Sequence, residues 1–168
     1  TSIEHALGLT QEHRTAQEKL NELRQDYWDK YSFSFIRNPY DKVVSQYCWL
    51  LQVKSRLSKQ PIGFREWVKL AYEQKDPYYR HEERKFLPQY EWITDKQGAV
   101  IIKGIFFFEK LQTEYTTLCH VLGIKPTTLP HKNQTNKRTK YRHYYDTTTK
   151  NTISQVFAKD LDVFNYTF

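Results

Sequence analysis

An α/β architecture with a mostly parallel sheet is predicted by three features of this 168-residue chain. Two short runs, residues 31–36 and 105–108, are aromatic and β-branched with no charged residue, as strands buried on both faces are. Amphipathic helical stretches alternate with these runs, the order expected of parallel strands joined by helical crossovers. Aromatics make up 16% of the residues, enough to fill a core, and the length suits a single domain over residues 1–168.

Taken in chain order, residues 14–26 read as a charged helix with Ala16, Leu20 and Leu23 on one face. The 31–36 strand follows, and then a helix from Pro39 to about Lys54. Proline suits the first helical position there, and Val43, Val44, Tyr47 and Leu51 face inward. Residues 64–72 form another amphipathic helix, stopped by Asp76-Pro77. Residues 90–94 and 99–102 flank Asp95-Lys96-Gln97-Gly98, a hairpin signal with glycine in the left-handed position. After the 105–108 strand, residues 109–122 read as a helix ended by Gly123 and Pro126. A basic loop spans 125–142, Asp146 caps a helix over 147–157, and residues 160–168 close the chain.

A net charge of +7 and a pI near 9.3 call for an anionic partner: a nucleotide, a nucleic acid, an acidic glycan or a membrane surface. No apolar run approaches the roughly 18 residues of a membrane span. Cys48 and Cys119 sit in apolar helical patterns and read as buried thiols, which favour a bacterial cytoplasm. The Asn-x-Thr sequons at Asn133 and Asn165 leave a Golgi lumen open. No set of His, Cys and Asp has metal-ligand spacing, so no metal is expected.

The most informative stretch is Phe33-Ser34-Phe35-Ile36-Arg37-Asn38-Pro39-Tyr40-Asp41-Lys42-Val43-Val44-Ser45. A strand ends at an arginine, an Asn-Pro turn follows, and a serine comes eight residues after the arginine on the next helix. A guanidinium, a hydroxyl and the free N–H groups of the helix start can serve one oxyanion. The same stretch also reads as an ordinary buried strand followed by a capped helix.

This segment resembles the 3′-phosphate-binding segment of the sulfotransferases that use 3′-phosphoadenosine 5′-phosphosulfate (PAPS), in the branch of the heparan and chondroitin enzymes and their bacterial relatives. Further matches keep the family's order: Leu87-Pro88-Gln89, Phe108-Glu109-Lys110-Leu111, Leu122-Gly123-Ile124 and Leu129-Pro130-His131-Lys132-Asn133. The resemblance implies a P-loop-type three-layer α/β fold, with a mostly parallel central sheet flanked by helices. It implies sulfuryl transfer from PAPS to a hydroxyl acceptor, a carbohydrate by family default, with 3′-phosphoadenosine 5′-phosphate (PAP) as product. Arg37 and Ser45 would hold the 3′-phosphate. Thr1 and Ser2 match the end of the phosphosulfate loop. The family's first strand, most of that loop and its lysine would precede residue 1, which leaves the activity of the chain as given open. The 125–142 loop would close over the nucleotide, with Lys132 and Arg138 as its binding cations. Gln89 and Glu109 would organise the fold.

Sulfuryl transfer needs a base for the acceptor hydroxyl and stabilisation of charge on the leaving phosphate. Of six histidines, His13 is the favoured base, because His13-Arg14-Thr15-Ala16 matches a family His-x-Thr-Ala segment on the acceptor side. A solvated helix-entry ring is the plainer alternative. His5, just behind the phosphosulfate loop, is the second choice, and His120 near a helix C-terminus simply suits the dipole. Three rival functions remain. The basic 125–142 loop, with Tyr141, Tyr144 and Tyr145 at and just past its end as aromatics for a nucleotide base, would also suit a nucleic-acid-binding module, although no nucleic-acid motif accompanies it. A non-catalytic PAP-binding protein of the same fold is the second. A P-loop kinase is the third, without a complete phosphate loop in the sequence.

Overall fold

The aromatic run before Arg37 is a strand, β1 (Phe33–Ile36), and it pairs in parallel with β2 (Gly104–Phe107). The computed structural model describes residues 2–9, 13–53, 56–80, 82–129 and 140–168. Around the sheet the helices are, in chain order, α1 (Ser2–Ala6), α2 (Ala16–Leu23), α3 (Asp26–Asp29), α4 (Pro39–Gln52), α5 (Arg56–Lys59) and α6 (Phe64–Val68). They continue as α7 (Gln89–Ile93), α8 (Leu111–Val121), α9 (Thr147–Val156) and α10 (Ala158–Val163). These elements form two units. The first runs to Arg37 and resumes at Gln89; the second comprises Asn38–Pro88 and the C-terminal segment 140–168. Helices and a small parallel sheet together make a mixed α/β architecture.

The first unit holds the sheet. Phe33 lies opposite Gly104 and Ile36 opposite Phe107. Parallel strands cannot be joined by a tight turn, and residues 37–103 supply the crossover. Phe35 stacks on Phe106 with ring centroids 5.3 Å apart, and Phe33 meets Phe106 edge-on at 6.3 Å. Phe33 and Phe35 pack with Ile3 of α1, Tyr115 and Cys119 of α8, and Leu129. Glycine at 104 suits this packing: a Cβ there would lie 2.7 Å from the Tyr31 hydroxyl and 2.9 Å from the Phe106 ring. A second small core joins Ala16, Tyr27 and Ile101, and the Tyr27 hydroxyl donates to the Ile101 carbonyl.

Two expectations change here. The 14–26 helix is shorter and broken, because Thr15 caps α2 through a reciprocal bond with Glu18 and Arg24 takes a positive φ of 52° before α3 begins. Residues 90–94, expected as a strand, mostly form α7 instead, and the expected partner strand 99–102 is reduced to a bridge at Val100. Their aromatic and β-branched composition favours a strand, but tertiary contacts override it. The Asp95–Gly98 turn survives: Asp95 accepts bonds from the N–H groups of Gln97 and Ala99, Gly98 has φ +82°, and a single antiparallel bridge joins Thr94 to Val100.

In the second unit α4 is amphipathic, as expected, with Tyr40, Val43, Val44, Tyr47 and Leu50 buried and Leu51 only partly so. Against it pack Phe64, Trp67 and Val68 of α6, the π-helical turn Lys69–Glu73, Phe86, and Ile153 with Phe157 from the α9 region. α9 starts at a capping box, where the Asp146 carboxylate accepts from the Thr149 N–H at 2.8 Å and Thr149 Oγ1 accepts from the Asp146 N–H at 3.0 Å. Cys119 is buried and Cys48 partly buried, and both are free thiols. Among the described residues no helix is long and apolar enough to cross a membrane.

Candidate functional site

Arg37 is the first residue past β1, where the sheet pairing has ended and its peptide groups need other partners. Gln89, the first residue of α7, supplies both. The Arg37 N–H donates to Gln89 Oε1 at 2.9 Å, and Gln89 Nε2 donates to the Arg37 carbonyl at 2.7 Å. A carboxamide carries one acceptor and donor groups, so it can mimic a peptide in a strand ladder. Gln89 is buried. The Arg37 guanidinium lies over the ring of Phe108, 4.4 Å from its centroid. That contact follows from the parallel register: Ile36 faces Phe107, so the next residue on each strand is brought alongside its counterpart. Rings attract cations through their negative face, and the contact steers the side chain without neutralising it. Among the cationic residues singled out from the sequence, Arg37 is therefore tethered at both its backbone and its side chain.

In the second unit Asn38 caps α4. Its side-chain oxygen accepts from the Tyr40 N–H at 3.0 Å, and its Nδ2 donates to the Thr167 carbonyl at 2.9 Å. Pro39 occupies the first helical position, where its missing N–H costs nothing. Ser45 sits two turns into α4, half-buried, and its hydroxyl makes no hydrogen bond among the described residues. One turn before it, the Lys42 ammonium donates to the Leu87 carbonyl at 2.9 Å and lies over Phe157, 4.9 Å from the ring centroid. Burial pushes the Lys42 pKa down to about 8, against the opposing pull of the fully buried Asp160.

His13 is exposed, two residues ahead of the Thr15 cap of α2. Beside it Arg14 pairs with Glu22 at 2.5 Å. His5 and His120 are exposed on α1 and α8. Ser2 is the first residue of α1. Thr1, Lys132 and Arg138 lie outside the described residues, as do His81 and His131. The tyrosines of the basic region serve their own unit. Tyr141, Tyr144 and Tyr145 pack against the core around α4, and the Tyr145 hydroxyl donates to the Tyr40 carbonyl at 2.9 Å. Burial holds the Tyr145 hydroxyl well above the usual phenol range.

Two participants escaped the sequence: Gln89 as the partner of Arg37, and Phe108 beneath the guanidinium. The Phe108 signal was available in the two aromatic runs, since a parallel register of their ends sets 37 beside 108. Nothing in the spacing of residues 37 and 89 announces the clamp.

Comparison with curated proteins and with solved structures finds no match. A family model described as the sulfotransferase family matches residues 4–167, a span that takes in both strands, Arg37, Gln89 and all of α4. The chain belongs to the sulfotransferase family.

Proposed function

We propose that this protein transfers a sulfuryl group from PAPS to a hydroxyl acceptor, a glycan hydroxyl first among the candidates, on a P-loop-type three-layer scaffold. The observation that carries this reading is the tethered Arg37 at the end of β1, its peptide held by Gln89 and its guanidinium over Phe108. A cation fixed in this way loses little freedom on meeting an anion, so more of each charge-assisted bond appears as affinity. Arg37 and Ser45 are assigned to the 3′-phosphate, with the family membership and their spacing as support. Thr1 and Ser2 are assigned to the 5′-phosphosulfate, and Lys132 and Arg138 to the closing loop.

In the reaction the acceptor oxygen attacks sulfur, its proton passes to a base, and the bond from sulfur to the bridging phosphate oxygen breaks to release PAP. His13 is the assigned base, supported by its exposure and its position ahead of α2. Positioning and electrostatics supply most of such catalysis. The free thiols Cys48 and Cys119 support a reducing compartment such as a bacterial cytoplasm.

Calorimetric titration with PAP, against AMP as the control lacking the 3′-phosphate, tests the site. PAP should bind markedly more tightly. Arg37→Ala should cost about 2–3 kcal/mol of PAP affinity, roughly 30- to 150-fold, and leave AMP little changed. Equal binding of PAP by the variant would refute the assignment of Arg37. Turnover of PAPS with a panel of glycan acceptors separates an enzyme from a protein that only binds nucleotide.

A further inference from the structure

We infer that Gln89 is a positioning residue for the anion-binding Arg37, acting through the backbone and not by touching the ligand. The inference rests on the reading of Arg37 given above. β1 ends at Ile36, which pairs with Phe107, so the peptide groups of Arg37 lie one step beyond the ladder. Gln89 engages both of them as a strand partner would, accepting from the Arg37 N–H at 2.9 Å and donating to its carbonyl at 2.7 Å. Both bonds fall on a single residue, which restrains φ and ψ there and with them the direction of the Cα–Cβ bond. Phe108 then limits the side chain to a path across its ring. Gln89 is only 8% exposed, so water competes poorly for these bonds.

The geometry is specific to glutamine. Glutamate offers acceptors but no donor for the carbonyl, and its charge would draw the guanidinium away from an incoming anion. Asparagine is one methylene shorter than a contact set at these distances. Methionine fills the volume and makes neither bond. The helical form of residues 89–93 belongs to the same device, because it places residue 89 at the start of α7.

The test compares wild type, Gln89→Met, Arg37→Ala and the double variant by calorimetry with PAP and with AMP, alongside thermal melting. Gln89→Met should weaken PAP binding about five- to tenfold, as expected for a lost pair of positioning hydrogen bonds, and leave AMP binding unchanged. In the Arg37→Ala background it should have no further effect, because the two residues act as one unit. With PAPS as donor the loss should appear in KM more than in kcat.

A parallel loss of PAP and AMP affinity would overturn the inference, and so would a penalty that persists without Arg37 or PAP binding equal to wild type. Should Gln89→Met fail to fold, the neutral but shorter Gln89→Asn takes its place under the same criteria. Failure of wild type to prefer PAP over AMP, or of Arg37→Ala to weaken PAP, overturns the anion reading itself. A normal Arg37 effect with no Gln89 effect overturns the clamp alone.

Discussion

The contribution of Lys42 to stability should rise as the pH is raised from 8 to 10. Its ammonium lies among the Leu87 carbonyl, the Phe157 ring and Asp160, the last two fully buried. Burial lowers its pKa from 10.5 to about 8 in the folded state. Between these values the unfolded chain holds a proton that the folded chain has released. Stability therefore increases with pH across that window, where the unfolded state binds more protons. Integrating the linkage for this one group gives roughly 2 kcal/mol between pH 8 and pH 10. Above pH 10 the direction reverses. Burial holds the Tyr72 and Tyr145 hydroxyls above their ordinary range, so unfolded tyrosines ionise first and favour unfolding. Urea denaturation at intervals of half a pH unit, for wild type and Lys42→Met, measures the effect. The variant loses the Leu87 bond at every pH, so the informative quantity is the difference in slope. Parallel stability profiles for the two proteins between pH 8 and 10 would show that Lys42 is not held as an enclosed cation.

Further outcomes follow from local packing, beside the Arg37 and Gln89 substitutions above. Gly104→Ala should cost about 1–3 kcal/mol, the range for overpacking, because its Cβ would meet the Tyr31 hydroxyl and Phe106. Adding Tyr31→Phe removes the nearest atom and should recover part of the loss; a single variant within about 0.5 kcal/mol of wild type in urea would contradict the crowding. Asp146→Ala should lose about 1 kcal/mol through the broken cap of α9, whereas Asp146→Asn should retain most of it. The bonds from Thr149 hold the Asp146 carboxyl below its ordinary value. That part of the stability is present above the ordinary value and fades as the pH falls through the folded one, a trend that melting curves in acid should reproduce in wild type and not in Asp146→Ala.

Local pattern determined the strand–arginine–turn–helix segment almost completely. Residues 33–36 are apolar apart from Ser34, Asn38 offers a side-chain acceptor to a free N–H, and Pro39 within a helix belongs in its first turn. Each of these acts over a few residues, so the sequence specifies it without help. The caps at Thr15 and Asp146 are of the same kind. The family was also legible, since its motifs are short and collinear.

Tertiary structure decided what depends on distant partners. Residues 90–94 are aromatic and β-branched and look like a strand, yet they enter a helix whose first residue bonds Arg37, 52 positions away. Tyr141, Tyr144 and Tyr145 look like ligand-facing aromatics of a basic loop, but their rings are drawn into the core around α4 because that burial removes apolar surface from water. Lys42 looks like any lysine on an amphipathic helix, and only the enclosure by Leu87, Phe157 and Asp160 changes its chemistry. The sequence alone determined that a cation ends β1 and that a capped helix follows. What fixes that cation is a bond across 52 residues and a ring on the neighbouring strand, interactions that exist only once the chain has closed on itself.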